Sequence, residues 1–206
     1  MKTALIIVDV QNDFCPGGAL AVHDGDKVVP VVNKLQGAVD LVVATKDWHP
    51  TNHGSFASQH QANAVGDVVT LDDLPQVLWP DHCVQGTEGA EFHPDLDTVR
   101  ITKTFEKGTN PAIDSYSGFF DNGRRYQTGL DAYLKGEGIT HVWVVGLATD
   151  YCVKFTALDA TDCGYQTEVW LAATRAVELS PGDELRAVAE LQERGVTVHS
   201  RNVLPT

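Results

Sequence analysis

A chain of 206 residues with 43% hydrophobic and 21% charged residues has the size and balance of one globular domain with a real core. Its 28 Asp and Glu against 15 Lys and Arg leave a net charge of −13, which excludes a nucleic-acid backbone or an anionic membrane as natural partners, since both demand basic ground. No apolar run approaches the roughly 20 residues of a spanning helix, and Met1-Lys2 leads into a strand-like segment with no cleavable pattern, so the expectation is a cytoplasmic protein with small or uncharged ligands.

In chain order, the first element is the apolar run Leu-Ile-Ile-Val at 5–8, which predicts a strand buried on both faces. Similar runs predict strands at 41–44, 99–101, 142–145, 169–171 and 196–198. Helical periodicity lies between most of them, at 26–39, 129–136, 150–162 and 181–194. The last helix has the fullest signals: Ser180 as cap, Pro181 in the first helical position, Asp183 completing a capping box, and Gly195 as the stop. This alternation predicts a three-layer α/β/α sandwich around a mostly parallel sheet of about six strands. No linker, repeat or low-complexity tract divides residues 1–206, so a single domain is expected. The stretch 48–97 breaks the alternation, and its His49, His53, His60, Trp79, His82 and His93 mark it as a long loop region that builds part of a site.

Sheets of this kind bind ligands beyond the carboxyl ends of their strands, so the chemistry should lie just past each run. The glycine patterns of dinucleotide folds and P-loops are absent, and Gly17-Gly18 after Pro16 reads as a turn. Asp9 ends the first run, where a carboxylate is costly unless it is paired or opens into a cleft. It is a candidate general base, with Lys107 placed to neutralise it or to stabilise a thiolate; the plainer alternative is an ion pair that closes the sheet end. Cys152 comes after a strand and a short turn at the start of a helical pattern, a position that lowers a thiol pKa and suits a nucleophile. Its plainer alternative is a small buried hydrophobe. The four cysteines form no C-x-x-C pair, so neither a redox motif nor a zinc finger is supported, and Cys163 reads as structural.

Asp47 and His49 are two apart, so in extended chain both side chains can reach one metal ion. His82 is the choice for a third ligand and His53 the next candidate. Mixed nitrogen and oxygen donors suit a divalent ion, Zn²⁺ first, with Fe²⁺ or Mn²⁺ as alternatives.

Together Asp-x-Gln-x-Asp-Phe at 9–14, Lys-Asp-Trp-His-Pro at 46–50, Trp-Pro-Asp-His-Cys at 79–83, Lys-Gly at 107–108 and Gly-Leu-Ala-Thr-Asp-Tyr-Cys-Val at 146–153 resemble the nicotinamidase branch of the isochorismatase-like cysteine hydrolases. The resemblance runs from about residue 5 to the final strand. It implies that fold, with Cys152 as nucleophile, Asp9 as general base and Lys107 as the third catalytic residue. It implies Asp47, His49 and His82 as ligands of one divalent ion, and the N–H groups of Ala148 and Cys152 as an oxyanion hole beside a cis peptide at Leu147-Ala148. Phe14, Trp79 and Tyr116 would line a pyridine pocket. The implied reaction is hydrolysis of nicotinamide to nicotinate and ammonia through a thioester, in NAD salvage, with pyrazinamide as a further substrate. A homo-oligomer is compatible with the sequence. Other readings of the same residues are a related hydrolase of isochorismate or another small amide, a metallohydrolase in which bound water attacks, and a ligand-binding module without activity.

Overall fold

The computed structural model describes residues 2–203. Six parallel strands form one sheet: β1 (Thr3–Val8), β2 (Leu41–Asp47), β5 (Ile101–Lys107), β6 (His141–Leu147), β7 (Gln166–Arg175) and β8 (Thr197–His199), in the order β5-β2-β1-β6-β7-β8. A separate antiparallel pair, β3 (Val68–Leu71) and β4 (Leu74–Val77), forms a hairpin. The helices are α1 (Val29–Leu35), α2 (Leu130–Gly136), α3 (Lys154–Asp162) and α4 (Asp183–Glu193). None is long and apolar enough to cross a membrane.

The continuous apolar strands are explained by the layering. Along β1, Leu5 and Ile7 join Val42, Ala44 and Val145 against Val29, Val32 and Leu35 of the α1 side. The alternate residues Ala4, Ile6 and Val8 join Val43, Val142 and Val144 against Leu130 and Leu134 of α2, Ala157 and Leu158 of α3, and Leu191 of α4. Because successive side chains point to opposite faces, a strand covered on both sides must be apolar at every position. This is the three-layer sandwich expected from the run pattern.

Several boundaries differ from expectation, each for a physical reason. The third sheet strand was expected at 99–101 but runs Ile101–Lys107, and Val99 is 92% exposed. As an edge strand β5 buries Phe105 and Lys107 and half-buries Ile101 but exposes Thr102, Lys103, Thr104 and Glu106, so it carries no continuous apolar run. The helix expected over 26–39 is α only for Val29–Leu35, flanked by 3₁₀ turns at Gly25–Val28 and Gln36–Ala38. Its valines are poor helix formers, and Pro30 lacks the donor that would extend a helix through it. At α4 the chain enters through Gly182 rather than a Ser180 cap, and Pro181 lies outside the helix. The Asp183 carboxylate still accepts the Ser180 N–H at 2.8 Å, which is half of the expected box. The 48–97 stretch contains the β3–β4 hairpin, whose Asp72 and Asp73 both take left-handed backbone (φ 51° and 64°) in a tight turn.

The strand order reverses between β1 and β6: from β1 the sheet grows through β2 to β5 on one side and through β6 to β8 on the other. The crevice beyond the carboxyl ends of β1 and β6 is the place where such sheets bind ligands.

Candidate active site

Three strand ends deliver charge into that crevice. β2 pairs with β5 so that Asp47 faces Lys107 in register, each as the last residue of its strand. Asp9 comes directly after β1, in left-handed backbone (φ 49°) that turns the chain out of the sheet. The Lys107 Nζ lies 2.8 Å from Asp9 Oδ2 and also contacts Asp47 Oδ1, the carbonyl oxygen of Ser115 at 3.0 Å and Cys152 Sγ at 3.3 Å. Thr45, two residues before Asp47 on β2, donates its hydroxyl to Asp9 Oδ1 at 2.6 Å. All of these side chains are buried, so their charges interact through a medium far less screening than water.

Burial alone would lower the Lys107 pKa, but Asp47 and Asp9 hold it well above the ordinary lysine value, so the ammonium stays charged. Burial pushes the Asp9 carboxyl up despite Lys107, while Lys107 and His49 overcome burial to hold Asp47 well below the usual carboxylate range. Cys152 departs from the lowered thiol expected for a helix N-terminus. Burial, with the two carboxylates, raises it well above the usual value, and Lys107 opposes the rise only in part. Both shifts act in one sense: they favour the neutral thiol and make Asp9 more basic than an ordinary carboxylate.

Cys152 sits in a π-helical turn, Thr149–Val153, between β6 and α3, closed by Val153 N–H donating to Ala148 O at 3.1 Å. Such turns widen the backbone by one residue and are frequent at functional sites. The Leu147-Ala148 peptide entering it is cis. Asp150 anchors the turn by accepting the N–H groups of Val177 and Glu178, each at 2.9 Å.

Beside this group lie two imidazoles. His49 Nδ1–H donates to Gly108 O and His82 Nδ1–H to Pro80 O, both at 2.8 Å, which in the neutral rings leaves each Nε2 as a lone pair. Those Nε2 atoms lie 3.5 and 3.6 Å from Asp47 Oδ2. Two lone pairs and a carboxylate oxygen converging in buried space repel one another unless a cation lies among them. Asp47 accordingly raises the His49 pKa even though burial acts against it. The donor set of Asp47, His49 and His82, mutually within 4.8 Å, fits a divalent metal ion. Gly108 makes room for the His49 ring: its backbone is left-handed (φ 63°), and a Cβ there would overlap that ring. His53 packs 4.2 Å from the His49 ring, centroid to centroid, with Nδ1 on Ser55 Oγ at 2.7 Å. Burial and His49 lower its pKa to about 4, and its buried Nε2 finds no partner among the described residues. It groups with His49 and Asp114 rather than with the Asp47 set. His60 caps Gly54 O at 2.8 Å, and His93 bonds the Asp95 N–H; neither joins the site.

The pocket above Cys152 has about 350 Å³ of empty space, part of it open to solvent. Phe14, Trp79 and Tyr116 line it, together with Asp47, His82, Ala148 and Cys152. Trp79 Nε1 and Gln76 Nε2 both donate to the Tyr116 hydroxyl, at 3.2 and 3.0 Å, and Tyr151 packs edge-on against the Trp79 ring at 4.9 Å. Tyr151, Leu20, Asp114 and Val177 also line the pocket and were not anticipated. Tyr151 was within reach, as the neighbour of Cys152 in a singled-out motif; Leu20 and Val177 carry no signal in the sequence. All four cysteines are free.

An isochorismatase domain model matches residues 3–202. The chain belongs to the isochorismatase family. Within it, the chain is 51% identical over 201 residues to a nicotinamidase of Escherichia coli K12, covering 96% of this chain and 94% of that one. The structure of an Acinetobacter baumanii nicotinamidase and pyrazinamidase superposes with a TM-score of 0.94 at 46% identity, over 98% of this chain and 97% of that one. A Pyrococcus horikoshii pyrazinamidase solved in complex with zinc superposes at 0.78 with 39% identity, over 97% and 99%. The family's α/β hydrolase architecture agrees with the six-stranded sheet described above.

Proposed function

We infer that this protein is a metal-dependent cysteine amidohydrolase that converts nicotinamide to nicotinate and ammonia, and pyrazinamide by the same chemistry, in NAD salvage. One observation carries the reading: Cys152, Asp47 and His82 line one aromatic pocket, while behind it Lys107 contacts Cys152, Asp9 and Asp47, and the His49 and His82 Nε2 atoms converge on the Asp47 carboxylate as donors for a divalent ion.

The pyridine ring lies among Phe14, Trp79 and Tyr116, with its carboxamide over Cys152 and its ring nitrogen toward Asp47, His49 and His82. Those three residues would hold the ion, Zn²⁺ in this reading, which when bound would supply a Lewis-acid anchor for the ring nitrogen. Asp9 takes the thiol proton as Cys152 Sγ attacks the carboxamide carbon, and Lys107 compensates the negative charge. The N–H groups of Ala148 and Cys152 receive the oxyanion, an interaction whose loss typically costs ~10²- to 10³-fold in rate. Asp9 then gives its proton to the leaving nitrogen, the C–N bond breaks, and ammonia departs from a thioester. Water, deprotonated by Asp9, attacks the same carbon; the C–S bond breaks, the proton held by Asp9 returns to the sulfur, and the acid that leaves gives its remaining proton to solvent to become nicotinate.

The test is ammonia release from nicotinamide by the wild type and Cys152→Ala, before and after chelation. The expected result is turnover by the wild type, loss to background with Cys152→Ala, and a chelation-induced loss that zinc reverses. Substantial turnover by Cys152→Ala would make metal-bound water the nucleophile and sink the thioester route; an inactive wild type would sink the reading altogether.

A further inference from the structure

Of the segment Asp9-Val10-Gln11-Asn12-Asp13, the chemistry above uses only Asp9, yet Gln11 is engaged with the main chain of Asp47 and Asp13 with that of Cys83, the neighbour of His82. Gln11 is fully buried. Its Nε2 donates to Asp47 O and to Ala90 O, both at 2.8 Å, and its Oε1 accepts the Asp47 N–H at 2.9 Å. The last β1–β2 pair is Ile7 with Ala44, so β1 has turned away before Asp47 is reached. The Gln11 amide stands in for the missing strand, satisfying both main-chain groups of Asp47 on that side as a neighbouring peptide would.

Asp13 does the corresponding work at the other ligand. Its Oδ2 accepts the Cys83 N–H at 2.7 Å and its Oδ1 the Ala19 N–H at 3.1 Å. Cys83, next to His82, lies in left-handed backbone (φ 46°) without being glycine, a conformation that needs outside support. A charge-assisted hydrogen bond to its N–H is such a support. Gly89 packs so closely on Asp13 that a Cβ there would overlap the carboxylate.

We propose that Gln11 and Asp13 are positioning residues of the metal site, Gln11 fixing Asp47 and Asp13 fixing His82. One short segment after β1 thereby aligns a carboxylate from a strand end with an imidazole from a distant loop. The proposal rests on the reading that Asp47, His49 and His82 hold a divalent ion.

The experiment is zinc affinity of the whole protein by chelator competition, with KM and kcat for nicotinamide at saturating zinc. Gln11→Met and Asp13→Ala should weaken zinc binding by about 10- to 100-fold, the usual consequence of losing an outer partner of a ligand. Asp13→Asn keeps an oxygen for the Cys83 N–H and should restore affinity to within about threefold. Gly89→Ala, which displaces the Asp13 carboxylate without touching it chemically, should reproduce Asp13→Ala. Gln36→Met is the control: Gln36 is also a buried amide, bonded to Asp97 O at 2.8 Å away from the site, and its loss should lower Tm and leave zinc affinity unchanged. Zinc affinity within about threefold of wild type in Gln11→Met and Gly89→Ala, with only Tm reduced, would overturn the proposal. If Asp13→Ala does not fold, Gly89→Ala against Asp13→Asn decides the Asp13 role; if Gln11→Met does not fold, Gln11→Glu, which keeps an oxygen for the Asp47 N–H but loses the donor to Asp47 O, decides the Gln11 role by the same loss of zinc affinity. A wild type that binds zinc yet leaves nicotinamide intact would defeat the proposed reaction and leave these affinities decisive; one that binds no zinc would defeat the positioning roles.

Discussion

The two halves of the site are built by different means. Asp9, Asp47 and Lys107 stand on or just beyond strand ends, and their separations are set by the register of β1, β2 and β5. His49 and His82 stand in irregular chain, and each ring is aimed by a single carbonyl, Gly108 O or Pro80 O. Groups placed by a sheet inherit the rigidity of its hydrogen-bond ladder, whereas groups placed by loops need a dedicated prop for each side chain. Asp47 belongs to both halves, since one carboxylate oxygen contacts Lys107 and the other faces the imidazoles.

The sharpest way to break this division is Asp9→Asn. It removes the proton acceptor and leaves the loop half intact, so kcat/KM for nicotinamide should fall by about 10²- to 10⁴-fold, the range of a lost general base. Zinc affinity, measured by chelator competition, should stay near the wild-type value. A parallel fall in zinc affinity would mean that the two halves are one unit.

The complementary change is His82→Ala. Loss of an outer partner alone weakens metal sites 10- to 100-fold, so loss of a ligand should cost at least about 100-fold in zinc affinity. At saturating zinc the surviving defect should appear as a raised KM, because the ring loses its anchor while Asp9, Lys107 and Cys152 are untouched. A variant with normal KM and zinc affinity would remove His82 from the site.

The same division governs what can be read from the chain. Strands buried on both faces announce themselves as apolar runs, and the residues at their ends, Asp9 and Cys152 among them, are found by inspecting the positions just past each run. The edge strand β5 is half exposed, so its signal is an alternation ending at Lys107 rather than a run, and its boundary is missed. The β3–β4 hairpin hides for a related reason: Val68 is 63% exposed, and Pro75 sits in a strand that pairs on one side only. Within the site, residue types and spacing point to Asp47, His49 and His82, but the direction of the Cys152 shift cannot be had from its position. It depends on how completely the π turn is buried and on two carboxylates that arrive from other strands. Leu20 and Val177 reach the pocket through tertiary packing alone, and no local pattern distinguishes them from other apolar residues.

A carboxylate that keeps contact with water should behave unlike those in the crevice, and the half-buried Asp183 at the start of α4 provides the case. The Ser180 N–H, and after it Arg186, lowers its pKa below the usual carboxylate value. A depressed folded-state pKa contributes stability that is present above the unfolded value, near 4, and is lost as pH falls through the folded value. Asp183→Asn should therefore lower Tm by only about 2 °C at neutral pH, as expected for one solvated charge at a helix N-terminus in a chain of this size. The difference from wild type should shrink as pH is taken below about 4, and kcat/KM should not change. Thermal melts at pH 7 and pH 3 check this directly. A Tm difference that persists undiminished in acid would assign the role of Asp183 to its shape rather than its charge.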